Sequence, residues 1–119
     1  MAREQNLGTT EMWFVGEDKT IPFEIYSADE ATMEDIAGWT IIWTLRRMLE
    51  GDAVLLTKTG TVAGSYNSDQ AVNTQRVSID IDAADTLYFE PGQYHHVLKR
   101  TDAGFVTVLA YGTVYLKRA

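Results

Sequence analysis

Apolar and polar residues alternate through residues 38–47, Gly-Trp-Thr-Ile-Ile-Trp-Thr-Leu-Arg-Arg. The alternation places Ile41, Trp43 and Leu45 on one side of an extended chain and Ile42 on the other, which is the period of a β-strand with one buried face. β-Branched and aromatic residues predominate, as they do in strands. The stretch therefore predicts a central strand around which the rest of the chain packs.

Shorter apolar runs predict the remaining strands. Turn signals containing glycine or proline separate these runs at intervals of about eight to twelve residues. No long helical pattern interrupts them, and seven or eight strands without a long helix are typical of an all-β, antiparallel, immunoglobulin-like sandwich. The predicted strands are residues 9–15, 19–26, the central strand, 54–59, 61–65, 76–82, 93–100 and 105–117, with turns that include residues 50–52 and 101–104.

The predicted faces of the strands follow from the same alternation. In the first strand Met12 and Phe14 oppose Trp13 and Val15. In residues 76–82 the aliphatic residues point inward and the aspartates outward. In the last strand the predicted inward residues are Val106, Val108, Ala110, Gly112, Val114 and Leu116, and the predicted outward residues are Phe105, Leu109, Tyr111 and Tyr115.

Polar segments without a period connect the strands. Residues 27–37 predict a loop crossing between sheets in preference to an acidic helical turn, with Met33 and Ile36 packed beneath it. Residues 65–75 predict an exposed loop or a disordered segment. The polar residues 1–8 predict a flexible N-terminal tail.

One short helical turn is predicted after residues 76–82. Asp82 suits a helix N-cap, and Asp85 supplies the acidic residue of a capping box. We expect Leu87 and Phe89 to end this turn by packing against the core.

Composition narrows the classes of function. The chain has 119 residues, which suits one domain, and no cysteine, which excludes disulfides and thiolate zinc sites and fits folding in the cytoplasm. Ten basic and seventeen acidic residues give a net charge of −7, which argues against a nucleic-acid partner. The polar first residues lack the apolar core of a signal peptide, and no apolar run reaches the roughly 18 residues of a membrane span. We therefore expect neither nucleic-acid nor membrane binding.

The titratable side chains offer little catalytic chemistry. His95 and His96 are the only histidines, and neighbours on a strand point to opposite faces, so we expect no shared metal and a hydrogen-bonded, half-buried His96. Calcium prefers clustered oxygens such as those of Asp80, Asp82 and Asp85, but their spacing is better explained by two outward strand positions and a helix start. We assign no catalytic, cofactor-binding or metal-binding residue and expect no enzyme activity.

Apolar and aromatic residues on the outward strand faces are a stronger signal. Tyrosine and tryptophan are preferred anchors of protein interfaces, although aromatic residues can also stack on sugar rings. The predicted partner interface consists of Trp13, Ile42, Tyr66, Leu109, Tyr111 and Tyr115.

The order of several short motifs resembles a known family. The motifs are FEIY at residues 23–26, DIAGWTIIWTLR at 35–46, LTK at 56–58, IDIDAADTL at 79–87 and PGQY at 91–94. In this order they resemble the small immunoglobulin-like domains of tailed-bacteriophage virion proteins, and they are similar to the N-terminal domain of phage baseplate upper proteins. The resemblance covers roughly residues 19–116. Trp39, where the family usually has a small residue, and the His95–His96 pair depart from it.

The resemblance implies a non-enzymatic structural component of a virion, made in the host cytoplasm and placed in the baseplate, tail, neck or capsid. It implies other virion proteins as partners and assembly as a symmetric oligomer or ring, with residues 1–8 and 65–75 becoming ordered on docking. The outward aromatic residues leave one alternative open, a carbohydrate-binding or host-surface-binding module of the same fold class.

Overall fold

The computed structural model describes residues 2–9, 12–47, 53–102, 104 and 106–119. The predicted central strand is present as β4, and its alternation is confirmed because Ile41, Trp43 and Leu45 are buried. The predicted turn at residues 50–52 and the predicted outward position of Phe105 lie outside the described residues. The elements are β1 (Arg3–Glu4), β2 (Trp13–Phe14), β3 (Lys19–Phe23), β4 (Ile41–Arg46), β5 (Val54–Thr59), β6 (Thr61–Ala63), β7 (Arg76–Ile81), α1 (Ala83–Thr86), β8 (Gly92–Arg100) and β9 (Thr107–Lys117).

The strands form two sheets whose inward side chains share one hydrophobic core. The larger sheet has the order β1-β9-β8-β4-β5, with β2 also paired to β9, and the smaller sheet has the order β3-β7-β6. Ile21 and Val77 from the smaller sheet belong to the same buried cluster as Trp43 and Leu98 from the larger one. The chain is therefore mostly β, in two layers, as predicted.

The larger sheet is mixed, which differs from the purely antiparallel arrangement predicted. Both β1 and β2 run parallel to β9, whereas the other pairs are antiparallel. The two short segments lie one after the other along the 11-residue β9, opposite Ala110–Tyr111 and then Leu116–Lys117, before the chain turns into β3 in the other sheet. Two-residue strands carry too little alternation for their pairing direction to be predicted.

A β-bulge reverses the predicted faces of the first part of β9. Leu98 of β8 pairs with Ala110, but the next residue, Lys99, pairs with Val108, so Leu109 is an extra residue in β9. Leu109 and Ala110 are both buried, and Val108 points outward. The prediction that Leu109 lies on the outer face is therefore wrong, as is the prediction that Val106 and Val108 point inward.

Trp13 also lies in the core and not on the surface. Its side chain is fully buried, beside Leu116 in register, and its ring centroid lies 6.4 Å from that of Trp43. The prediction that Trp13 belongs to an exposed interface is wrong. Alternation identified the two faces of this strand but could not indicate which of them faces the core.

The N-terminal segment is an edge strand in the structure, whereas the sequence predicted a flexible tail. The backbone N–H groups of Gln5 and Leu7 donate to the carbonyls of Tyr111 and Thr113, at 2.8 Å each. Asn6 accepts a bond from the Thr113 N–H. The segment passes directly over Gly112, where an added Cβ would overlap the carbonyl oxygen of Gln5.

Gly112→Ala is therefore expected to displace residues 3–7 from β9. We expect a loss of about 2 kcal/mol in the free energy of unfolding, because backbone hydrogen bonds are lost and buried groups are left without partners. Hydrogen exchange at the amides of Gln5 and Leu7 reports this displacement directly. The matched control is Thr113→Ala, which leaves the backbone pairing intact. Unchanged protection of these amides in Gly112→Ala would contradict the assignment.

The two long connections are joined to each other by hydrogen bonds. Residues 27–37 form the predicted loop, and Met33 and Ile36 are buried beneath it. The hydroxyl of Tyr66 donates to the carbonyl of Met33, and the Met33 N–H donates to the carbonyl of Ser68. Residues 65–75 are therefore an exposed loop, as predicted, and hydrogen bonds tie it to residues 27–37.

The helical turn α1 matches its prediction at the start but not at the end. The N–H of Asp82 donates to the Asp85 carboxylate at 2.8 Å, which closes the predicted cap. Phe89 stacks on Tyr94 with ring centroids 5.7 Å apart. Leu87 is 53% exposed, so its predicted packing against the core is wrong; the buried residue of the turn is Thr86.

Candidate protein interface

The structure brings together three of the six predicted interface residues. Ile42, Tyr111 and Tyr115 point outward from the larger sheet, on the side opposite the core. Tyr66 lies in the loop of residues 65–75, remote in sequence from these strands, and its hydroxyl is bonded to Met33. Trp13 and Leu109 lie in the core.

Three adjacent strands position this outward surface. Ile41, Trp43 and Leu45 fill the core side of β4, so the residues between them point away from the core. Because β4 pairs with β8 and β8 pairs with β9, the residues in register with these outward positions also point away from the core. We call this surface the Tyr111 face. It consists of Ile42, Thr44, Arg46, His95, Val97, Lys99, Val108, Tyr111 and Tyr115.

The middle of the Tyr111 face is a shallow, open depression. Its volume is about 440 Å³. Val97 and Val108 provide an apolar floor beside Tyr111, which is 39% exposed. Neither valine belonged to the interface predicted from the sequence; Val108 was predicted to point inward and faces outward only because of the bulge at Leu109. The lining residues are Ala2, Arg46, His95, Val97, Lys99, Val108 and Tyr111.

Two polar side chains in the Tyr111 face have buried atoms without hydrogen-bond partners. They are the Oγ1 of Thr44 and the Nε of Arg46, on consecutive outward positions of β4. Within the described part of the chain, no ion pair involves Arg46. A buried donor without an acceptor is costly, by about 1–3 kcal/mol. The Arg46 side chain as a whole is only partly buried, so a partner can reach it from the outer side of the sheet.

The Tyr111 face is also basic, although the chain as a whole is acidic. Arg46 and Lys99 stand on neighbouring strands, and Lys117 follows at the end of β9. Of the outward residues in the described strands of this sheet, only Glu4, which is in register with Tyr111, carries a carboxylate. The face therefore combines an apolar floor and cationic side chains, which suits a partner surface that carries carboxylates.

His96 serves the core and not a reactive site. Its Nδ1 accepts a hydrogen bond from the Trp43 Nε1–H at 3.1 Å, so its Nε2 carries the proton and donates to the Gln5 carbonyl at 2.6 Å. Burial lowers the pKa of His96 to about 4. Both ring nitrogens are occupied, and His95 points to the opposite face, as predicted.

Two of the three carboxylates considered for calcium have another partner. Asp80 accepts a hydrogen bond from the Thr20 hydroxyl at 2.8 Å. Asp85 forms a 2.7 Å ion pair with Lys58, and this hydrogen bond lowers the pKa of the Asp85 carboxyl. Among the residues with a described placement, no group of three or more histidine or carboxylate side chains is arranged to hold a metal ion.

A second concave region lies between β1, at one edge of the larger sheet, and β3 of the smaller sheet. Its polar part has a volume of about 360 Å³. The Arg3 guanidinium lies 3.9 Å from the centre of the Tyr26 ring, and Arg76 forms a 2.9 Å ion pair with Glu24. Arg3, Arg76 and Glu24 of this region therefore already have partners within the chain, which makes it a weaker candidate than the Tyr111 face.

In the part of the chain that is described, no helix is long and apolar enough to cross a membrane. No protein-family model matches the sequence, and a search of curated proteins found no significant match.

Proposed function

We propose that this chain is a non-enzymatic structural component of a tailed-phage virion and that it acts by protein–protein assembly through the Tyr111 face. The observation that carries the proposal is the continuous outward surface of β4, β8 and β9, where Tyr111, Val97 and Val108 line one depression together with Arg46, an arginine that forms no ion pair among the described residues. Such a combination of aromatic anchors and arginine is typical of interface centres. The phage assignment rests on the motif order given above.

We further propose that the fold is immunoglobulin-like. The smaller sheet, β3-β7-β6, has the order of strands B, E and D of that fold, and β9-β8-β4 has the order of strands G, F and C, with β5 in the place of the additional strand C′. Two local features support the same assignment. Trp43 is the buried tryptophan of strand C, and the Tyr94 hydroxyl, at the start of strand F, donates to the Glu90 carbonyl at 2.6 Å.

In this assignment His96 takes the position that a cysteine has in antibody domains. It lies two residues after Tyr94, where the second cysteine of an antibody domain pairs across the sheets. Phe23 of the smaller sheet faces it, with ring centroids 6.0 Å apart. An aromatic contact and two hydrogen bonds thus occupy the place of the disulfide, which fits a chain without cysteine.

The proposed mechanism is binding by a rigid surface. The strands of the larger sheet hold the Tyr111 face in one conformation, so little conformational entropy is lost on docking. The affinity of each single contact is modest, but many copies bound around a symmetric ring hold each other in place and so give a high overall avidity. The proposed places in the particle are the baseplate, tail, neck and capsid.

Tyr111→Ala and Ile42→Ser are expected to weaken assembly with virion proteins by about tenfold or more while leaving the chain folded, because both side chains are outside the core. Binding is measured by co-sedimentation with virion particles, and folding by the melting temperature. The matched control is Tyr88→Ala, since Tyr88 is 91% exposed and lies after α1, away from the Tyr111 face. Unchanged binding of both variants, or unfolding of the free chain, would refute the interface.

A carbohydrate-binding or host-surface-binding module is the alternative. Tyr111 and Tyr115 share one face of β9 and could stack on sugar rings. Glycan binding by the isolated chain that is saturable and lost in Tyr111→Ala, together with no binding to virion proteins, would replace the structural role by this one.

A further inference from the structure

We infer that the partner of the Tyr111 face is a second copy of this chain, which presents the outer side of its three-stranded sheet. The inference rests on the proposed function, because it names the partner in the assembly proposed above. It follows from two surfaces of the same molecule that are complementary in size and charge and lie on opposite sides of the core.

The second surface is formed by the outward residues of β3, β6 and β7. Ile21, Ile79 and their neighbours fill the core side, so the residues between them face away from it. We call this surface the Asp80 face, and it consists of Thr20, Pro22, Thr61, Ala63, Arg76, Ser78 and Asp80.

The two faces are complementary in side-chain size. Apart from Arg76, whose guanidinium is ion-paired with Glu24, the Asp80 face carries short side chains, and most of them are exposed, so its backbone is accessible to bulky groups. The Tyr111 face carries Tyr111 beside an apolar depression, with Tyr115 and Ile42 on the same side of the sheet. Large residues of one sheet can therefore lie against small residues of the other, as in packed β layers.

The two faces are also complementary in charge. Asp80 lies on the smaller sheet and Asp82 directly follows β7; both are exposed, and no basic residue forms an ion pair with either among the residues described. Arg46 and Lys99 bring the opposite charge, and the Nε of Arg46 lacks an acceptor within its own chain. The Arg46 side chain as a whole is only partly buried, so its guanidinium can pair with a carboxylate from a second copy in a charge-assisted hydrogen bond.

The contact is heterologous, because it joins two different surfaces of identical chains. Such a contact leaves one unused face at each end and continues into a closed ring or an open filament. Three short strands about 4.8 Å apart offer a small contact area, so each pairwise contact is weak and ring closure or high concentration is needed to populate the assembly. Self-association is therefore expected to depend steeply on protein concentration.

Charge reversal tests the pairing. Arg46→Glu and Asp80→Lys are each expected to weaken self-association by about tenfold or more, measured by sedimentation velocity over a range of concentrations, because like charges then face each other. An equimolar mixture of the two variants is expected to assemble again, since Glu at position 46 of one chain meets Lys at position 80 of the other. The charge-matched controls are Arg118→Glu and Glu30→Lys, at exposed positions outside both faces.

The outcomes separate this inference from the proposed function. A wild-type chain that stays monomeric at every concentration, or single variants that associate as the wild type does, would overturn the inference. If that monomer still binds virion particles through Tyr111, the structural role stands with a different partner. The inference is supported if each charge-reversal variant alone fails to self-associate and the equimolar mixture of the two variants assembles again. This holds even if no virion protein binds.

Discussion

Replacing Trp43 with alanine is expected to lower the free energy of unfolding by about 3–5 kcal/mol, the usual cost of removing a buried tryptophan. The indole is fully buried at the centre of β4, and its ring lies 6.1 Å from that of His96 and 6.4 Å from that of Trp13. Its loss leaves a large cavity and removes the hydrogen bond to His96. Urea denaturation measures the change, and an unchanged melting temperature would mean that the strand faces are reversed.

A comparison of two conservative variants separates the hydrogen bond from the packing. Trp43 and Trp13 are both fully buried, but the Nε1 of Trp13 has no hydrogen-bond partner within the described chain. Trp43→Phe is therefore expected to cost more than Trp13→Phe, by about 1–3 kcal/mol, because it leaves the Nδ1 of His96 without a donor. Equal losses would show that the bond to His96 contributes nothing.

Acidification from pH 6.5 to pH 4 is expected to lower the free energy of unfolding by about 3 kcal/mol through His96 alone. The pKa of this histidine is near 6.5 in the unfolded chain and, because of burial, about 4 in the folded chain. Between these values the unfolded state binds the proton and the folded state does not, so stability falls as the pH falls. At pH values well above 6.5 both states are neutral and the effect is absent.

Urea denaturation at several pH values between 7 and 4 measures this dependence, and His96→Gln is the matched variant. Glutamine retains hydrogen-bonding groups but does not titrate, so the slope of about one proton is expected to disappear. The hydrogen bond from Lys58 lowers the pKa of the Asp85 carboxyl below 3.8, and the hydrogen bond from the Thr40 backbone N–H does the same for Asp102. What these two carboxylates contribute to the free energy of unfolding is therefore lost only at a lower pH than the His96 effect. A wild-type stability that is constant from pH 6.5 to pH 4.5 would contradict the role given to His96.

The sequence predicted those parts of the fold in which one strand face is buried and the other is solvated. The alternation around Trp43 in β4 and around Ile79 in β7 is regular because each of these strands pairs on both sides and packs on one core. Alternation of period two then specifies both the strand and its faces. The loop over Met33 was predictable for a related reason, since its polar residues have no period.

The sequence did not predict the features that depend on pairing between distant segments. The bulge at Leu109 arises from the register of β9 against β8, and only the partner strand reveals it. Trp13 belongs to a strand of two residues, and the polar residues 3–7 bind β9 through their backbone, so their side chains carry little information about the pairing. Gly112 was a possible signal, because a glycine inside a strand often marks the close approach of another backbone.

The same reasons explain how much of the interface was predictable. Ile42 and Tyr111 were found because they lie on regular outward positions of β4 and β9. Val108 was missed because the bulge turns it outward, and Leu109 was wrongly included for that reason. The unpaired Nε of Arg46 depends on its surroundings in the folded sheet, which no local pattern encodes.

Co-sedimentation of the purified chain with tailed-phage particles from the same source is the most direct test of the proposed structural role. The wild-type chain is expected to sediment with the particles in a fixed number of copies, and Tyr111→Ala, although folded, is expected not to. A chain that never associates with particles and instead binds host glycans would contradict the structural role and make the exposed tyrosines of β9 a sugar-binding surface.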